Sequence, residues 1–201
     1  MKKTQIFTLL TYPLVLGLAW ILYNGVKANI DEAENIKKTE ITVVEKLKMI
    51  REAQKQYLAA NAKYAKTWDE LKAYIKDGKV FVVEKHEKIM QRAASESYKG
   101  DSILVTYDTI GVENALDHIF PKNKFPNFDY TKINQHPVFP DKEFTIFADT
   151  VRKSNVIVHV TEVVDPFPID KTRKESNDNR KRRFLRFGSR EETSLTGNWE
   201  D

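Results

Sequence analysis

Apolar residues run almost unbroken from Ile6 to Tyr23, interrupted by Thr8, Thr11 and Pro13, inside a charge-free stretch of twenty-three residues from Thr4 to Val26. At about 1.5 Å rise per residue, a helix of that length just crosses a hydrocarbon core of roughly 30 Å. The pattern therefore predicts a transmembrane helix over residues 4–26 behind a basic leader, residues 1–3. A cleaved secretory signal is the rival reading, because Lys2 and Lys3 form a basic n-region and Val26-Lys27-Ala28 would suit a cut after Ala28. Length favours the anchor: the apolar block exceeds the roughly 7 to 15 residues of a signal core, and Trp20, Ile21, Leu22 and Tyr23 carry bulk almost to its end. Lysines on both flanks weaken the orientation signal, and a signal anchor with so short a basic leader is expected to keep its N-terminus inside.

From Ala28 to Ala62 the pattern changes to apolar residues at three- and four-residue steps among Glu, Lys, Ala and Gln, with no Gly or Pro. One long amphipathic helix is predicted, a stalk over residues 27–66. Ala33, Ile36, Val43, Leu47, Ile50 and Tyr57 form its seam, broken by Glu40 and Gln54. The seam has two readings: it packs on the chain's own head, or it binds a partner or a second copy as a coiled coil through Ile36, Val43, Leu47 and Ile50.

The next segment, residues 67–170, reads as an α+β domain. Thr67-Trp-Asp-Glu70 is a capping box, and Trp68, Leu71, Tyr74 and Ile75 share one face of a short helix that Asp77-Gly78 should end in a turn. Val80 to Val83 is predicted as a buried strand, Ser102 to Tyr107 as a second and Phe144 to Phe147 as a third. Val156 to Val163 alternates most clearly, with Val156, Val158 and Val160 opposite Ile157, His159 and Thr161. Phe120-Pro121, Phe125-Pro126, His136-Pro137 and Phe139-Pro140 mark an irregular connector whose aromatic side chains should cover a sheet edge or cap the core. The fold class predicted is α+β: an N-terminal transmembrane helix continuing into a long amphipathic helix, packed on a small, mainly antiparallel sheet.

Charge alters the reading near the C-terminus. Lys171, Arg173, Lys174, Arg180, Lys181, Arg182, Arg183, Arg186 and Arg190 outweigh Glu175 and Asp178. The expectation over residues 171–190 is a solvated basic linker. Its functional reading is contact with anionic lipid, glycan or an acidic partner, at about 1 kcal/mol per basic residue near an anionic membrane. Phe184 and Phe187 among the arginines would also suit nucleic acid, but a tail exported with the head never meets it. Residues 191–201 are expected to dock, with Trp199 either plugging the chain's own core or anchoring a partner. Arg180, Arg182, Arg183, Phe187 and Trp199 are the partner-binding candidates here.

Composition narrows the chemistry. The chain has no cysteine, which removes disulfides, thiolate metal sites, a cysteine nucleophile and lipid acylation at a lipobox. Its seven glycines are scattered, so no phosphate-cradling loop is present. His86-Glu87 is followed by Met90 where a zinc-protease helix needs its second His, and His118, His136 and His159 share no ligand spacing. Glu84, Glu87, Asp101 and Asp108 are carboxylates that folding alone would have to pair, and Ser95, Ser97 and Ser102 lie in no nucleophile elbow. No catalytic residue, metal or cofactor is expected.

A short basic leader, Phe7-Thr8-Leu9-Leu10 opening an apolar helix, an amphipathic continuation and a small sheet domain together resemble a type IV pilin or pseudopilin. Ile50 to Gln54, then Tyr57, Asn61, Tyr64 and Trp68 to Leu71, resemble the way such proteins leave the long helix and enter the head. The resemblance covers roughly residues 1–85 and implies a structural or assembly role in a pilus- or secretion-like envelope complex. The processing glycine of that family is Ile6 here and its acidic residue is Thr11, so no functional residue is carried over. The ending from Phe187 to Glu200 resembles single-pass envelope proteins of Bacteroidota. The expected protein sits in the inner membrane, single-pass, with its N-terminus inside and its head in the periplasm, in contact with the bilayer and with envelope proteins or further copies. The alternative is a periplasmic ligand-binding protein or enzyme released by signal cleavage.

Overall fold

The computed structural model describes residues 3–90 and 102–200, with the side chains of residues 11–89 and 103–200. It is α+β: one long helix, α1, Lys3–Asn61, two short helices and two small antiparallel sheets. At about 1.5 Å per residue α1 extends for roughly 90 Å. Its last third holds the core. Val43, Leu47, Ile50, Ala53 and Tyr57 are buried against Leu71, Ile75, Ile119, Phe120, Ile133, Phe144, Val163, Leu185 and Phe187.

Ala62 ends α1 in the left-handed region at φ 54°, its N–H returning to the Leu58 carbonyl at 2.8 Å. Helix α2, Trp68–Asp77, starts at Thr67, whose hydroxyl accepts the Glu70 N–H at 3.3 Å. The Glu70 carboxylate takes the Lys66 amide at 2.9 Å, one residue earlier than a reciprocal capping box requires. Trp68 and Tyr74 secure the helix: the indole N–H donates to the Phe144 carbonyl at 3.0 Å and the phenol to Gln56 O at 3.1 Å. Gly78 does not make the expected turn. Its backbone is extended (φ −68°, ψ 155°) and leads straight into a strand, and glycine is required because a Cβ there would lie 2.3 Å from the Tyr74 carbonyl oxygen.

Strands β1, Lys79–Met90, and β2, Ser102–Asn114, form a two-stranded ribbon with a bulge between Val82 and Val83. The sequence expectation of a buried strand at Val80 to Val83 is corrected here. Among the described residues no second layer covers the ribbon, and Phe81 and Val83 are 64% and 51% exposed. Helix α3, Ala115–Ile119, follows β2 and leads into the connector, where Phe120 stacks on Phe128 at 3.8 Å and meets Phe125 edge-on at 5.6 Å. This cluster caps the core, as the aromatic-proline pattern suggests.

The second sheet has order β3-β4-β5, with β3 Thr145–Lys153, β4 Val156–Val164 and β5 Arg186–Ser189, all antiparallel. Ser154 and Asn155, both at positive φ (46° and 68°), make the two-residue β3-β4 turn favoured by strand twist. The alternation read in β4 does not appear in its burial: Val156 and Ile157 are both exposed, Val158 and His159 are both half-buried, and the five residues from Val160 to Val164 are all buried because both faces are covered there. Gly188 in β5 sits at φ +83°, where a Cβ would approach Thr161 O to 2.0 Å.

Candidate interaction surfaces

The seam of α1 is spent on the chain's own head. Val43, Leu47 and Ile50 have no exposed surface, while Ile36, one helical stretch earlier, is half-buried. The two polar residues that break the seam have dedicated partners. Glu40 receives a bidentate fork from Arg173, through Nε to Oε1 at 2.5 Å and Nη2 to Oε2 at 2.9 Å. Buried Gln54 clips the chain leaving the helix, donating to Ala65 O at 3.1 Å and accepting the Ala65 N–H at 3.0 Å.

The helix is bare on the N-terminal side of the head. From Tyr12 to Val26 every large apolar side chain is exposed, between 54% and 71%, and Leu14, Leu16, Leu18, Trp20, Ile21 and Leu22 point to all sides of the axis. Among the described residues no helix is long and apolar enough to cross a membrane; the side chains of Thr4 to Leu10, the first part of the expected span, lie outside those described.

The basic segment is not an unstructured linker. Residues 171–190 contain a 3-10 turn, Arg180–Arg182, and strand β5, because their arginines find fixed acceptors. Arg173 bonds the carbonyls of Lys181 and Arg183 as well as Glu40. Glu162, 7% exposed in β4, is held by Arg186 at 3.1 Å and Arg190 at 2.7 Å, and Arg186 also pairs with Glu175. Arg190 lies over the Phe147 ring at 4.8 Å. A cleft of about 620 Å³ opens beside these residues, with Arg183, Arg186 and Arg190 balanced by Glu162, Glu175 and Glu191. Three of the nine basic residues that read as a patch in one dimension, Arg173, Arg186 and Arg190, are thus paired with carboxylates.

The partner-binding candidates of the tail divide accordingly. Phe187 is wholly buried and Trp199 half-buried against the same core. Arg183 is half-buried and donates to Asn177 O at 2.8 Å, whereas Arg180 and Arg182 remain exposed. The last segment docks on α1 of its own chain: Arg51 bonds both Glu200 carboxylate oxygens, at 2.8 and 2.9 Å, and the Leu195 carbonyl at 3.3 Å. Burial raises the affinity of Glu200 for a proton, but the Gly197 N–H and Arg51 outweigh it and hold its carboxyl below the ordinary value.

The ribbon places its residues on two unlike faces. One face pairs Phe81 with Val112, Val83 with Thr109, Lys85 with Tyr107, Glu87 with Val105 and Ile89 with Ile103. The other carries His86 within 3.8 Å of Glu84 and 3.6 Å of Asp108, with Lys88 beyond. Folding thus pairs two of the carboxylates that sequence could not rank, while Glu87 lies on the opposite face and Asp101 outside the described residues. Both charges beside His86 are exposed, and among the described residues no cluster of three or more potential ligands is suited to a metal ion.

Sequence reasoning missed a second His–Asp pair. His136 and Asp165 are 2% and 1% exposed, with Nε2 and Oδ2 3.4 Å apart. His136 Nδ1 accepts the amides of Val138 and Phe139, which leaves Nε2 to carry the proton toward Asp165. Asp165 accepts the Phe167 N–H at 2.9 Å, and burial raises its pKa. Among the described residues no serine or other nucleophile is hydrogen-bonded to the pair, which sets the connector beside the end of β4. The only hint in the sequence was His136-Pro137, which marks a turn but not its distant partner.

A groove of about 690 Å³ between α1 and the connector is floored by Met49, Ile119 and Phe125 and rimmed by Glu45, Lys48 and His118. His118 Nδ1 is engaged with Glu113 at 2.9 Å. Comparison of the chain with protein-family models, with curated proteins and with solved structures finds no match in any of the three.

Proposed function

We propose that this chain is a single-pass, membrane-anchored component of a cell-envelope assembly, holding a non-enzymatic head on a rigid stalk. One observation carries the reading: α1 is apolar and exposed on all sides from Tyr12 to Val26, then becomes amphipathic and buries its stripe from Val43 onward. A helix that is apolar all round belongs in a protein core or a bilayer, and this head offers it no core. The stretch described from Tyr12 continues the apolar run that begins at Ile6. Placement in the inner membrane with the N-terminus inside and the head in the periplasm follows from the short basic leader, and a pilus- or secretion-like assembly role from the pilin-like order of elements. The full chain is expected to float with liposomes and to resist alkaline extraction, while the head is digested only from the exported side. Release at alkaline pH, or a mature N-terminus at Asn29, overturns the anchor in favour of a cleaved signal.

A further inference from the structure

The ribbon of β1 and β2 has an apolar face that no described residue covers. Phe81, Ile89, Ile103 and Tyr107 on that face are each 60% to 64% exposed. A lone two-stranded ribbon is marginal in water, so such a face calls for a second layer. At its centre lie Lys85 and Glu87, an opposite-charge pair two residues apart on the same strand and roughly half exposed. We propose that the occupant is a second copy of this chain, its ribbon packed face to face about a two-fold axis that passes between Lys85 and Glu87.

That axis maps residue 85 onto 87, so each Lys85 meets the partner copy's Glu87 and the contact is made twice. It also brings Val83 over the other copy's Ile89, and Val105 over its Tyr107. Self-complementarity of this kind is what an isologous interface requires. A lipid or a purely apolar occupant leaves both central charges covered with no partner beyond each other, at a desolvation cost. The stretch that the axis lays over itself, Val83 to Ile89, spans about 20 Å and two strands about 10 Å, roughly 200 Å² of face per copy. This is below the roughly 800 Å² per partner of a standard interface, so the contact is weak between free molecules and forms where copies are concentrated. The inference does not depend on the membrane anchor.

The native chain has no cysteine, which permits a clean thiol test in the full chain at high protein concentration. Val83→Cys in one population and Ile89→Cys in another should be joined by a short thiol crosslinker. Adding Lys85→Glu to both populations, or Glu87→Lys to both, places like charges together twice and should lower the yield about tenfold. Mixing Lys85→Glu/Val83→Cys with Glu87→Lys/Ile89→Cys restores opposite charges at both contacts and should restore the yield. Repulsion inside each strand persists in that mixture, so neither a folding defect nor an intramolecular effect can produce the recovery. A yield indifferent to charge, or a mixture that stays uncrosslinked, overturns the two-fold ribbon contact. Flotation of the same samples reports the anchor separately.

Discussion

Glu40 and Gln54 show how much a single residue can conceal from a pattern. In the sequence both are defects in an apolar seam. In the fold each is satisfied: Glu40 by the Nε–Nη2 edge of the Arg173 guanidinium and Gln54 by the two backbone groups of Ala65. The partner of Gln54 lies eleven residues away and that of Glu40 lies 133 away, so neither bond follows from helical spacing. Ala62 is the converse case, an ordinary residue in a demanding place. Its left-handed backbone at φ 54° costs an alanine about 1 kcal/mol relative to glycine. Ala62→Gly should therefore raise unfolding stability by up to about 1 kcal/mol, measured by urea denaturation of the head, with no change in the slope of the transition.

Elements set by local pattern were legible. The start of α2 was visible in Thr67 to Glu70, and β4 in the alternation from Val156, because capping and strand period act between neighbours. Strand β5 was not legible, since Arg186 to Ser189 becomes a strand only by pairing with Thr161 to Val164 and by neutralising Arg186 on Glu162. The buried strand expected at Val80 failed for a related reason: apolar content predicts a strand but does not say whether a layer exists to cover it. The C-terminal segment follows the same logic of distant partners, and its tie to α1 should respond to acid. Glu200 has a carboxyl pKa lowered in the fold, so its contribution is present above the unfolded value, near 4.5, and is lost as pH falls through the lower folded value. Glu200→Gln should remove about 1 kcal/mol or less at neutral pH and flatten that part of the stability-pH curve, read from melts between neutral and acid pH.

Across the whole molecule, the division of α1 matters most. The fully buried residues of the described chain begin at Val43, and the helix before Ile36 contributes nothing to the core. A chain shortened to begin at Asp31 should consequently keep the urea midpoint of the full chain while losing flotation with liposomes. A large drop in midpoint would mean that the bare helix supports the head after all. The candidate surfaces were legible in proportion to their independence from tertiary contacts. The exposed apolar stretch was plain in the sequence. The seam at Val43, Leu47 and Ile50 was visible as apolar, with packing on the chain's own head as one of its two readings, whereas the burial of Phe187 in the same core was not visible.

The Arg173 fork on Glu40 also fixes how the head would carry a load. Tension applied along α1 from its N-terminal end meets the Glu40 ion pair about one turn before the fully buried stripe begins at Val43. Two parallel charge-assisted bonds there hand the force to Arg173, and its contacts with the Lys181 and Arg183 carbonyls spread it into the chain just before β5. The packed interface of Val43 and Leu47 is sheltered from peeling until that fork gives way. Under such a load the fork would yield before the packed core is reached.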